Sequence, residues 1–149
     1  MHRALVLVML GGCWSASTAP EPVQNVADPN VVEAVPPHSV WRGKYHCRQG
    51  ITALELTLDV AESGAANALF VFGPHERNPE IPSGSYQMSG TVREDGPRLV
   101  VRLDPRAWIE QPENYVMVGL EARSDPARQK LVGRITESGC TAVELGRIR

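Results

Sequence analysis

The sequence lacks an apolar run long enough to cross a bilayer, and it has few aromatic residues and no cluster of basic ones. Its N-terminal apolar stretch, Ala4 to Leu10, is about seven residues long, whereas a transmembrane helix needs about 20. Basic residues are spread along the chain and the net charge is -2. Proteins that bind nucleic acid usually carry a concentrated basic excess, so the sequence argues against that partner. Because aromatics make up only 5% of residues, a core must consist mainly of Val, Leu, Ile and Ala.

The usual sequence signs of catalysis and metal binding are also missing. Ser83-Gly84-Ser85 does not fit the frame of a nucleophile elbow, and no Cys-x-x-Cys pair or glycine-rich phosphate loop occurs. The histidines beyond the first residues show no metal-ligand spacing, and the loop carboxylates Glu76 and Glu80 are typical of solvated surface groups. We therefore expect a protein that is not an enzyme and that holds no metal or cofactor.

The first 13 residues have the pattern of a bacterial lipoprotein signal. His2 and Arg3 precede the apolar stretch, and Leu10-Gly11-Gly12-Cys13 resembles the lipobox. The resemblance implies a signal peptide over residues 1–12, cleavage before Cys13, and acylation of the Cys13 sulfur and of the new amino group. Each buried CH₂ of such chains contributes about 0.8 kcal/mol, so two or three chains would anchor the protein to a lipid bilayer.

The residue after the lipobox bears on location. Trp14, rather than Asp, follows Cys13, and by the same resemblance this implies the outer membrane, with the protein facing the periplasm. The alternative is an ordinary signal peptide cleaved near Ala16 or Ala19, which would leave an unanchored periplasmic protein.

Residues 13–39 are rich in proline and small polar residues, which predicts a disordered tether after the lipid anchor. A flexible tether of this length spans on the order of 25–30 Å root-mean-square. The alternative is that part of this segment adds an N-terminal strand to the following domain.

From Val40 onward, apolar and polar residues alternate with a period of two between regularly spaced turn residues. The pattern predicts an all-β domain over residues 40–149, and no convincing amphipathic helix interrupts it. Eight short antiparallel strands favour an up-and-down barrel or a flattened sandwich, because closure removes the exposed sheet edges. The predicted strands are Val40–Cys47, Ile51–Val60, Ala66–Phe72, Ser85–Arg93, Arg98–Leu103, Tyr115–Ala122, Lys130–Thr136 and Thr141–Arg147.

The two internal cysteines are consistent with closure. Cys47 ends the first predicted strand and Cys140 immediately precedes the eighth, so a simple meander places both at the same end. Closing the barrel would make those strands neighbours, and the sequence therefore predicts a disulfide between Cys47 and Cys140. Such a bond requires an oxidising compartment, which an export signal provides.

In a meander, odd-numbered and even-numbered strands run in opposite directions, so successive connections alternate between the two ends of the barrel. This alternation places two long, proline-rich loops, residues 73–84 and 104–114, at the disulfide-bearing end. Long loops on a rigid scaffold commonly carry binding residues, and Trp and Arg are enriched in binding hot spots. The alternative is that Trp108 and Ile81 fold back and plug the end of the barrel. The candidate partner-binding residues are His75, Glu76, Arg77, Asn78, Arg106, Trp108, Glu110 and Gln111.

Several features together resemble the membrane-bound inhibitors of c-type lysozyme, which are small lipoproteins with an eight-stranded barrel. These features are the lipobox, the all-β body, Tyr45-x-Cys47 at its opening and the closing Cys140. Ser83-Gly84-Ser85-Tyr86 is similar to the inhibitory loop of that family, but the Arg before the Tyr is missing. Trp41-x-Gly43-x-Tyr45 also resembles the opening strand of lipocalin-like barrels.

Taken together, the sequence predicts a non-enzymatic envelope lipoprotein that acts as a binding module for a protein or glycan partner. Inhibition of a lysozyme is the specific function that the resemblance implies. One alternative is a lipocalin-like carrier of a small apolar ligand, with an interior lined by Phe70, Phe72, Tyr86, Met88 and Leu56. Another is a structural or assembly subunit of an outer-membrane complex.

Overall fold

Each alternating segment of the sequence forms a β-strand in the computed structural model, which describes residues 37–149. Consecutive strands pair antiparallel, and the first also pairs with the last, so the sheet is a closed up-and-down barrel. The predicted all-β, eight-stranded fold class is confirmed. The strands are β1 His38–Cys47, β2 Gly50–Val60, β3 Ala65–Gly73, β4 Gly84–Asp95, β5 Arg98–Glu110, β6 Leu120–Ser124, β7 Lys130–Ile135 and β8 Ala142–Arg147.

The predicted signal peptide, Cys13 and the tether as far as residue 36 lie outside the described residues. The tether was predicted to end at residue 39, but β1 already begins at His38, and the amide of Val60 donates to the carbonyl of Pro37. No helix in residues 37–149 has the length and apolar character needed to span a membrane.

The period of two sorts side chains between the barrel interior and the solvent. In β2, Leu54, Leu56 and Leu58 are almost fully buried, while the intervening Glu55 is half-buried and Asp59 is exposed. Alternation of this kind puts one apolar row of each strand into a shared core, and each buried leucine contributes roughly 1.5–3 kcal/mol. The interior is filled by side chains, which include the buried rings of Trp41, Phe70 and Tyr86 as well as aliphatic residues such as these leucines.

The structure differs from the sequence prediction at β5 and β6. The prediction of a loop over residues 104–114 is wrong for residues 104–110, because β5 continues to Glu110. The pairing of β5 with β4 contains two irregularities, between Ser85 and Tyr86 and between Gln87 and Met88. Proline is tolerated at bulges and on strand edges, which is why Pro105 does not end the strand.

Beyond Leu103, β5 lies on an open edge. In the described part of the barrel, β5 pairs with β6 only from Val100 to Leu103, whereas its pairing with β4 reaches Glu110. The connection between the two strands is therefore residues 111–119, and Tyr115, which was predicted to begin the sixth strand, lies in this connection.

The barrel closes along a seam between β1 and β8. Five residue pairs, from Trp41 with Arg147 to Tyr45 with Val143, form this ladder. At its centre a Cβ on Gly43 would collide with the backbone of Glu144, so the two strands approach as closely as they do only because this position has no side chain. Above the ladder the disulfide joins Cys47 to Cys140, and the predicted pairing is confirmed.

The strand directions divide the connections between two ends. We call the end that carries the disulfide the mouth, and the opposite end the far end. The mouth carries residues 48–49, 74–83, 111–119 and 136–141, and the far end carries residues 61–64, 96–97 and 125–129. Because β1 starts and β8 finishes at the far end, the chain enters and leaves the barrel away from the mouth.

Replacing both cysteines, Cys47→Ala with Cys140→Ala, is expected to lower the free energy of unfolding by up to about 4.5 kcal/mol. The disulfide spans 93 residues, and its removal restores the conformational freedom of that long loop in the unfolded chain. Urea titration followed by tryptophan fluorescence measures the change. As a control, a thiol reductant should destabilise the parent protein to a similar extent and leave the double variant unchanged. An unaltered urea midpoint in the double variant contradicts the prediction.

Candidate functional site

Six of the eight aromatic residues of the chain form one cluster in the mouth half of the barrel. The rings of Phe70 and Tyr86 stack with their centroids 4.7 Å apart, and those of Phe72 and Tyr115 stack at 5.5 Å. Stacked and edge-on aromatic contacts of this kind stabilise a fixed arrangement of rings. The members of the cluster are Tyr45, Phe70, Phe72, Tyr86, Trp108 and Tyr115.

A cleft of about 300 Å³ opens to solvent above this cluster. The buried rings of Tyr45, Phe72 and Tyr86 form its floor, and the disulfide lies in its wall. Ligand pockets range from about 300 to 1,000 Å³, so this cleft has the size for a single ring or one large side chain. Its remaining lining residues are Arg48, Gln49, Asn114, Tyr115, Val116, Val118, Glu137 and Ser138.

One buried hydroxyl holds the segment that borders the cleft. The Tyr86 hydroxyl accepts a hydrogen bond from the Val118 amide at 3.2 Å and donates one to the Val118 carbonyl at 3.0 Å. Next to it, the Thr136 amide donates to the Gly119 carbonyl at 3.0 Å. Residues 111–119 follow the part of β5 that has no ladder to β6, so these contacts replace strand pairing as the support of the cleft wall.

Burial raises the pKa of both floor tyrosines. For Tyr86 the loss of hydration is the dominant cause, and its hydrogen bonding with the Val118 backbone only partly opposes it. For Tyr45 the loss of hydration again dominates, and a hydrogen bond with the Thr52 side chain opposes it. Both phenols are therefore neutral throughout the physiological range of pH, and the floor of the cleft is uncharged.

The candidate residues of the first mouth loop form a tight turn. His75 and Asn78 pair through their backbones, and the Arg77 amide donates to the His75 Nδ1 atom at 3.2 Å. The Asn78 amide group donates to the carbonyls of Gln49 at 2.8 Å and Ile51 at 3.2 Å. Asn78 thus ties the β3–β4 loop to the β1–β2 turn.

The other candidate residues lie along upper β5 and just after it. Arg106 is on the outer wall, where its guanidinium donates to the Ser89 hydroxyl. Trp108 is half-buried and packs edge-on against Phe72 and Tyr86, which places it in the aromatic cluster. Ile81, the other residue that the plug alternative named, is also buried in the core.

Two further candidates, Glu110 and Gln111, are exposed at the end of β5, and the Gln111 side-chain amide donates to the Tyr115 carbonyl at 3.3 Å. In the segment that resembles a lysozyme-inhibitory loop, Ser83 is exposed while Tyr86 points into the core.

Seven of the eight predicted residues lie at or near the mouth, whereas Arg106 is on the outer wall beside Ser89. Within residues 37–149 none of the eight lines the cleft itself. The lining comes instead from the two short turns beside the cysteines and from residues 114–118. Sequence reasoning missed these positions because it searched the longest loops. The available signal was the pair of cysteines, since the turns that follow Cys47 and precede Cys140 had to meet at the same end.

Neither known protein families nor curated protein sequences match this chain.

Replacing Tyr86 with Phe is expected to lower the free energy of unfolding by roughly 1–3 kcal/mol, because the Val118 amide and carbonyl lose their partner in a buried place. Chemical denaturation measures the loss, and faster hydrogen exchange at the Val118 amide locates it. Tyr115→Phe is the matched control, because the stacking of that ring on Phe72 does not need the hydroxyl. Equal stability of the two variants contradicts the role given to the Tyr86 hydroxyl.

Proposed function

We propose that the protein is a non-enzymatic binding module of the bacterial cell envelope, and that the cleft at its mouth receives a ring-sized group of a protein or glycan partner. The observation that carries this proposal is the open cleft of about 300 Å³ above a fixed aromatic floor. Concave, mostly apolar pockets with a few polar groups at their edges are the usual form of a binding site.

The cleft is preorganised, which favours binding. Its floor residues sit on β1, β3 and β4, and the Cys47–Cys140 disulfide braces its edge. A site that is already ordered loses little conformational entropy when a partner binds, so more of the contact energy contributes to affinity.

The packing below the cleft favours binding at the mouth over carriage of a ligand inside the barrel. Leu56, Leu58 and Phe70 are 0% exposed and occupy the interior where a lipocalin-like ligand would lie. Eight-stranded barrels hold either side chains or one small ligand, and here side chains take up the space.

The place where the chain enters the barrel fits an anchored binding module. If Cys13 carries the lipid, the tether joins the barrel at Pro37 and His38, which lie at the far end. The cleft would then face away from the membrane, on the side that is open to partners in the periplasm. A tether of this length would separate the barrel from the lipid surface by on the order of 25–30 Å.

The experiment is a titration of the isotope-labelled protein with two uncharged ring-bearing probes, a tetramer of N-acetylglucosamine and the peptide Ala-Ala-Trp-Ala-Ala, followed by amide chemical shifts. We expect at least one probe to shift the amides of residues that line the cleft, such as Cys47, Tyr115 and Val118, because its ring displaces water from the aromatic floor.

A pair of matched variants tests the location. Ser138→Trp places a bulky ring on the rim of the cleft and should abolish the shifts, whereas Ser63→Trp places the same ring in an exposed turn at the far end and should preserve them. The proposal fails if no ring-bearing probe, uncharged or charged, shifts the lining residues, or if the shifts persist in Ser138→Trp.

A further inference from the structure

We infer that the partner of the cleft is a cationic polypeptide that inserts an apolar or aromatic side chain between the disulfide and residues 114–118. This inference rests on the proposed function and names the class of partner. It is carried by the charge at the mouth, by how that charge is paired, and by an exposed apolar lip.

The mouth is acidic. Its loops and the adjoining end of β5 carry five exposed carboxylates and two guanidinium groups, those of Arg48 and Arg77. An excess of one sign around a cleft attracts partners of the opposite sign and orients them before contact. The carboxylates are those of Glu76, Glu80, Glu110, Glu113 and Glu137.

Most carboxylates on the described barrel wall are neutralised by cationic side chains of neighbouring strands, with Asp104 of β5 as an exception. Glu55 pairs with Arg42 at 2.6 Å, and Glu121 accepts a hydrogen bond from Arg134 at 2.7 Å, which holds the pKa of Glu121 below its ordinary value. Asp95 forms an ion pair with Arg123.

The carboxylates of the mouth are not neutralised in this manner. None of the five forms a salt bridge with another residue in the range 37–149, although Glu137 accepts a hydrogen bond from the neighbouring Ser138 amide. Their negative charge is available to a partner. The contrast with the wall indicates that unpaired negative charge is concentrated at the mouth, where Glu137 lines the cleft itself and the other four carboxylates lie in the loops and strand end around it.

The lip of the cleft is apolar. Val116 is 67% exposed, the highest exposure among the large apolar residues of the described chain, and it lines the cleft beside Tyr115 and Val118. A valine exposed to this degree at the edge of an aromatic pocket offers contact to a hydrophobic side chain.

A sugar ring is less well matched. Sugar hydroxyls require polar partners, and in the floor the Tyr86 hydroxyl is already committed to the Val118 backbone, so such partners come from the rim, for example from Gln49 and Asn114. A neutral glycan could donate hydrogen bonds to the five carboxylates but would leave their charge unpaired, whereas lysine or arginine side chains beside an inserted ring would neutralise it.

The test titrates the purified, isotope-labelled protein with Lys-Lys-Trp-Lys-Lys, and in parallel with Glu-Glu-Trp-Glu-Glu and with the N-acetylglucosamine tetramer. We expect the cationic peptide to shift the cleft amides at the lowest concentration, and the acidic peptide to bind far more weakly. Raising the NaCl concentration should weaken the cationic complex, because salt screens exposed charges.

Two sets of variants, each with its own control, separate charge from apolar contact. Removing the carboxylates of Glu110 and Glu113 by Gln substitution should weaken binding of the cationic peptide about 1.5- to 5-fold for each, whereas Glu62→Gln at the far end should not. Val116→Ala should weaken it as well, while Val132→Ala, which truncates a valine 56% exposed on the outer wall, should have no effect.

Equal binding of the cationic and acidic peptides would overturn the inference and leave the proposed function standing. Shifts of the cleft amides with the N-acetylglucosamine tetramer alone would also overturn the inference and leave the proposed function standing, because they would identify a glycan site. If no ring-bearing probe of any charge shifts the lining residues, the proposed function itself fails.

Discussion

The seam between β1 and β8 is the constraint on which the rest of the molecule depends. Without those five residue pairs and the Cys47–Cys140 bond above them, the sheet would have two free edges and no mouth. The seam brings together the turn after β1 and the turn before β8, which supply one border of the cleft. Closure and the candidate site therefore arise from the same contact between the two ends of the domain.

Most of the fold could be read from the sequence because its signals are local. The alternation in β2, for example, fixes which residues face inward without knowledge of any other strand. The error at β5 has a physical cause: proline normally marks the end of a strand, but Pro105 lies beside an irregularity of the β4–β5 ladder and on a stretch of β5 that β6 does not pair with, where proline is tolerated. The end of that strand depends on its neighbours, and a single sequence does not display them.

The candidate site was only partly accessible to the same reasoning. The alternation of strand directions correctly placed the loops that hold His75 and Gln111 at the disulfide-bearing end. The cleft, however, depends on contacts between residues far apart in the chain, such as the hydrogen bonds between Tyr86 and Val118, and no periodicity encodes them. Composition shows only that aromatic residues are few, and their concentration in a cluster under the mouth becomes visible only in the structure.

The support of residues 111–119 by one tyrosine hydroxyl has a consequence for how this barrel can change over time. Strands in a ladder are coupled, so an insertion or deletion in one of them displaces its neighbours. The 111–119 connection is outside the ladder. Hydrogen bonds hold it to the barrel near its C-terminal end, at Val118 and Gly119. Apart from Tyr115, whose ring stacks on Phe72, the exposed residues before these hydrogen bonds can vary in length and chemistry while the scaffold stays intact, so one barrel could evolve to recognise a succession of different partners.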